Sequence, residues 1–163
     1  MWPNPKGNLN LMAYTAEEAR TQILDDLAAA IEQLSLAIAS LSEAYEVLDE
    51  DSADALEAGM FRPVQAAYGR AKRTYSTFAT AHGIPDRAFE ATTPGMHSND
   101  PKVYVERAVE AIEAADHRIA ELQDSMLPVD VGDTELRAGL SQTRAAIAEP
   151  PRRGRQLLRT FGR

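Results

Sequence analysis

Apolar residues recur every three or four positions along most of this chain, the period of an α-helix facing a core. From Leu24 they fall at Leu27, Ile31, Leu34, Ile38, Leu41, Tyr45 and Leu48, a sustained heptad stripe. Thr15 and Glu18 have capping-box spacing, so the pattern predicts a first helix from Thr15 to about Glu50, roughly 50 Å long. With Leu24 as an a position, the g column reads Ile23, Ala30, Ala37 and Ala44, and the e column Ala28, Ser35, Ser42 and Asp49. A two-stranded coiled coil carries charges in both columns. Here they are small and mostly uncharged, which predicts a wider buried face in a bundle with close helix approach. Asp25, Glu32, Glu43, Glu46 and Glu50 are expected to face outward.

Three further helices follow. The second carries Phe61, Val64, Tyr68, Ala71, Tyr75, Phe78 and His82. It runs from about Ser52, with Pro63 kinking it or marking its start, and Gly83 and Pro85 stop it. The connection from Gly83 to Asp100 is longer than most loops in compact domains, which marks it as functional or mobile. Asp100 caps a third helix, with Pro101 at its first position. Its stripe is Val105, Ala108, Ile112, Ala115, Ile119, Leu122 and Met126, ended by Pro128. The fourth, capped by Asp133, carries Leu136, Leu140, Thr143 and Ile147 and stops before Pro150. At roughly 23 Å it is less than half the first, so something else must cover the exposed remainder. The pattern therefore predicts an all-α, antiparallel up-down-up-down four-helix bundle over 15–149, with a short fourth helix, an N-terminal arm (1–14) and a basic C-terminal tail (150–163).

Composition narrows the function. The 163 residues include no cysteine, so disulfides, thiolate metal sites and a cysteine nucleophile are excluded. No run approaches the ~20 apolar residues of a membrane span. Residues 1–12 lack the apolar core of a secretory signal, and a cytoplasmic location is expected. Arginine outnumbers lysine 14 to 3, a habit of GC-rich bacterial coding. Net charge is −8, which argues against nucleic-acid binding by the body. The charge is uneven: five arginines (Arg152, Arg153, Arg155, Arg159, Arg163) and no acid lie within 152–163, leaving −13 on the rest.

Catalytic constellations are sparse. A di-metal carboxylate bundle needs Glu-x-x-His on two helices, but Ala79, Pro94 and Ala114 stand three residues before His82, His97 and His117. Those histidines lie too far apart to share one ion, although His82 and His97 could be neighbours. The acids Glu17, Glu18, Glu46 and Asp49, with Glu106, Glu110 and Glu113, have a spacing similar to the carboxylate motifs of all-α nucleotide pyrophosphohydrolases. Glu17 and Glu46, however, are about 43 Å apart on one helix, where that family's motifs converge from different helices. Glu113 and His117 form an i, i+4 surface pair. Arg70, Lys72 and Arg73 are expected to pair with acids of the first or third helix. No phosphate loop or nucleophile elbow is present, and neither a cofactor nor a metal is expected.

Two candidate sites remain. Tyr45, Tyr68 and Tyr75 sit on inward stripes and, with His82 and His97 near the long loop, could line a ligand pocket, the reading that would make this a binding protein or an enzyme. The tail is the sharper signal. A short helix there places Leu157, Leu158 and Phe161 on one side and Arg152, Arg153, Arg155 and Arg159 around the rest. Such a segment docks on its own bundle, docks on a protein partner or a second subunit, or touches anionic lipid or nucleic acid. The sequence reads as a non-catalytic helical interaction or assembly protein that forms a homo-oligomer, a homodimer at least.

Overall fold

The computed structural model describes residues 5–161, with side chains from Thr15 onward; it is all-helical, with no strand among these residues. The helices are α1 (Pro5–Val47), α2 (Glu50–Leu56), α3 (Arg62–Ala81), α4 (Pro101–Asp124), α5 (Leu127–Asp130), α6 (Thr134–Ala146) and α7 (Pro150–Thr160). A π-helical turn, Glu57–Phe61, joins α2 to α3.

Helix α1 starts ten residues before the expected capping box. The segment after Pro5 already has helical backbone, so Thr15 lies inside a running helix rather than at its cap. Residues 1–4 of the expected arm lie outside the described residues. Beyond Val47, Asp49 caps α2, its Oδ1 accepting from the Ser52 amide at 2.8 Å. The Ser52 hydrogen bonds hold the Asp49 carboxyl below its ordinary value. Pro63 neither breaks nor sharply ends the second wall. Its ring cannot donate a hydrogen bond and crowds the preceding turn. The π turn takes up the misfit: the Arg62 amide donates to the Glu57 carbonyl, five residues back, and α3 resumes with Pro63 in its first turn.

The core confirms the wide face. Ile23, Ala30, Ala37 and Ala44 are fully buried beside Leu24, Leu27, Ile31, Leu34 and Leu41. The most extensive pairing is α1 with α4, whose own buried face includes Ala108, Ala111 and Ala115. Two expected stripe residues do not join the core. Tyr45 is 42% exposed and Met126 is 51% exposed. Helix α4 ends at Asp124, and Met126 takes a left-handed conformation (φ 66°) that turns the chain into α5.

The direction of α4 departs from the expected alternation. Met60 and Val109 both flank Gly154. Farther along α3, Arg70 bonds Gln142; farther along α4, Asp116 bonds Arg144. Moving back from Gly154 to Gln142 thus advances along both α3 and α4, so those two helices run parallel. Helix α1 opposes both: its Tyr45 lies beside Phe61, and its Arg20 Nε donates to the Val131 carbonyl beyond the end of α4. The order is up, down, down, up. The 83–100 segment is the overhand crossover this order demands. It leaves α3 through a left-handed Gly83 (φ 68°), where Ile84 N donates to Ala79 O and Gly83 N to Thr80 O, a Schellman motif. It then lies along α1, where Arg87 pairs with Glu32 at 2.7 Å and the Thr92 amide donates to the Ser35 hydroxyl. At ~3.3 Å per residue it has ample reach to return the ~30 Å length of α3.

The fourth wall is split. Helix α6 packs mainly on α3, and α7 packs on α4, the π turn and α2. End to end they approach the ~36 Å of α4, so the segment expected as a tail supplies the missing half of the short fourth helix.

Candidate functional site

Helix α7 begins with two prolines, whose missing amides cost nothing at the unsatisfied end of a helix. Pro150, Pro151 and Gly154 are its buried residues. A side chain at Gly154 would collide with Val109 and Met60, so glycine lets the α7 backbone sit directly on the core. Leu157, Leu158 and Phe161 are half-buried on the same side, packed against the core. The sequence pattern pointed to these three and missed Gly154, whose only sequence signal is its place between the leucines and the prolines on one helical face.

The opposite side is cationic. Arg152, Arg153, Arg155 and Arg159 are exposed; Arg163 lies outside the described residues. Arg152 pairs with Glu149 at 2.6 Å and pulls that carboxyl below its ordinary value. Arg155 pairs with Glu113. Among the described residues, Arg153 and Arg159 form no ion pair. Arginines in the first turn of a helix oppose the macrodipole; Glu149 compensates Arg152, so local stability leaves Arg153 unexplained.

A groove of about 1040 Å³ lies at the α6–α7 elbow and is lined by Glu113, Asp116, His117, Arg144 and Arg155 among others. Its charges are mutually satisfied. Arg144 donates to Asp116 at 2.8 Å and to Gln123 at 2.9 Å, and the Asp116 hydrogen bond raises the Arg144 pKa. His117 pairs with Glu121 at 2.7 Å, not with Glu113 as the i, i+4 spacing suggested, because Glu113 turns to Arg155.

The five expected pocket residues are dispersed. Tyr45 lines a shallow hollow with Ser42, Glu46, Glu57 and Phe61 at the start of the second wall. Tyr68 is half-buried, with Lys72 Nζ 4.1 Å above its ring. Tyr75, 7% exposed, meets Phe89 of the crossover edge-on at 5.2 Å. His82 sits at the other end of α3, its Nε2 3.4 Å from Asp133 Oδ2 and its ring against Phe78. His97 is exposed on the crossover, close to the start of α4 and far from His82. Parallel α3 and α4 separate the two histidines that an antiparallel connection would have joined. Arg70 pairs with Gln142 rather than with an acid.

The chain matches no family model, no curated protein and no solved structure at a significant level. Among the described residues no group of three or more His, Asp or Glu side chains could hold a metal ion, and no helix is long and apolar enough to cross a membrane.

Proposed function

We propose that this chain is a non-catalytic helical assembly protein that self-associates, with α7 as its docking element. One observation carries the reading: α7 buries its apolar side against its own bundle and turns a row of arginines outward, of which Arg153 and Arg159 form no ion pair among the described residues. Charged groups are sorted onto distinct surfaces, whereas the buried polar side chains of the described core are Ser35, Ser40, Thr74 and Thr143. That division suits a molecule that recognises other macromolecules.

Light scattering of the full chain tests it. The expected mass is that of a dimer or larger. Neutralising Arg153 and Arg159 to Gln is expected to reduce that mass at equal concentration. Point neutralisation is preferable to truncation after Glu149, which would also uncover Met60 and Val109. A monomer at every concentration overturns the reading.

A further inference from the structure

The arginine face has a complement beside it. Residues 21–61 contain ten acids and no base. Seven of those acids, Glu43, Glu46, Asp49, Glu50, Asp51, Asp54 and Glu57, crowd around the turn from α1 into α2 and the π turn. Helix α7 packs on α2 and on that π turn, so the basic and acidic surfaces are neighbours at one end of the bundle. A groove between them is bordered by Ala55, Ala58, Gly59, Arg153, Gln156 and Thr160.

Within one chain these charges are little used. Asp49 is engaged as a cap and Glu57 pairs with Arg62. Glu43, Glu46, Glu50, Asp51 and Asp54 are exposed and form no ion pair among the described residues. Two large apolar side chains are exposed at the same turn, Tyr45 (42%) and Val47 (41%). The Tyr45 hollow has an aromatic ring with the Glu46 carboxylate beside it, and Glu57, already paired with Arg62, on its rim. That combination suits a guanidinium, which stacks on aromatic faces and pairs with carboxylates.

Building on the assembly reading above, we infer that two copies of this chain pair about a two-fold axis at this end, the α7 arginines of each lying on the acidic α1–α2 turn of the other. Neighbouring patches of opposite sign suit a two-fold interface, because rotation about an axis between them brings each patch onto its opposite. A polyanion such as nucleic acid or an anionic membrane is disfavoured, since the arginines that would hold it stand beside seven acids. A second copy turns those acids into the binding surface. Tyr45 and Val47 supply the apolar centre that charged rims surround in stable interfaces.

Charge reversal with a mixing arm tests this. R153E/R159E makes the basic face acidic; E46K/E50K makes the acidic turn basic. Arg152 and Arg155 are left intact because they pair with Glu149 and Glu113 within the chain. Sedimentation velocity at about 0.1 M salt, where screening leaves contact pairs but damps the repulsion of net charge, is expected to show a wild-type dimer. Its dissociation constant should rise about ten-fold or more at ~0.5 M salt, and each variant alone should weaken it by at least about as much. An equimolar mixture of the two variants should regain the dimer, since each reversed face then meets its complement. That recovery also answers any doubt that the variants fold. A dimer unaffected by either reversal, or variants whose mixture stays monomeric, overturns the charge pairing while the assembly reading stands. A wild-type monomer at all concentrations overturns both.

Discussion

Gly139 of α6 lies where the fourth wall meets α3. A Cβ there would overlap the hydroxyl, methyl and Cβ of Thr74, and Thr74 is buried with its hydroxyl donating to the Arg70 carbonyl. Gly69, on α3, would bring a Cβ no closer than 3.4 Å to the end of Arg73. The same substitution should therefore have opposite signs. Gly139→Ala is expected to cost about 1–3 kcal/mol through overpacking, outweighing its gain in helix propensity. Gly69→Ala is expected to add about 0.5–1 kcal/mol, because alanine loses less entropy in a helix. Urea midpoints of the two variants check this, and a stabilised Gly139→Ala would refute the close approach of α3 and α6. From sequence alone the two glycines are equivalent, each an isolated glycine in a helical pattern. Only the neighbour across the interface separates them.

Among elements, the crossover is the one whose role changed most. Its length marked it as functional or mobile, but its contacts make it a strap: Arg87 on Glu32, Thr92 on Ser35 and Phe89 on Tyr75. Burial pushes the Tyr75 phenol up from its ordinary value; Arg87 opposes the shift, and Asp25 and Asp86 add to it. The fold thus retains the neutral phenol while the unfolded chain ionises near pH ~10. A raised pKa in the folded state means stability that is complete below the unfolded value and is lost as the pH rises through the folded one. The chain should therefore weaken above about pH 10, and Tyr75→Phe should flatten that decline while changing stability by no more than about 1 kcal/mol at pH 7. Urea unfolding at neutral and alkaline pH measures it, and an unchanged alkaline decline in the variant would place its origin elsewhere. The strap was not legible beforehand because the 83–100 segment has no periodicity, and its partners on α1 are 50 or more residues distant in sequence.

For the whole molecule the decisive feature is the parallel course of α3 and α4. The chain has no cysteine, so two introduced thiols can carry spin labels without background. Arg62 and Glu110 lie at the same end under the parallel arrangement, whereas Asp124 is about 20 Å farther along α4. Labels at 62 and 110 should give a clearly shorter distance than labels at 62 and 124. The reverse order would restore the alternating bundle, and with it the juxtaposition of His82 and His97 at one end.

The sequence by itself determined the main helices and the stripes they bury. These follow from side-chain periodicity and from the small columns of α1, which are properties of neighbouring residues. Only the tertiary structure decided the direction of α4, the seating of α7 in the fourth wall, the outward turn of Tyr45 and the π turn before Pro63. Loop closure costs little more for a long connection than for a short one, so an 18-residue crossover permits either direction, and packing chooses. The wide face of α1 needs cover on several sides at once, and the arrangement that gives it pairs α4 with α1, lays the strap along α1 and closes the fourth wall with α7.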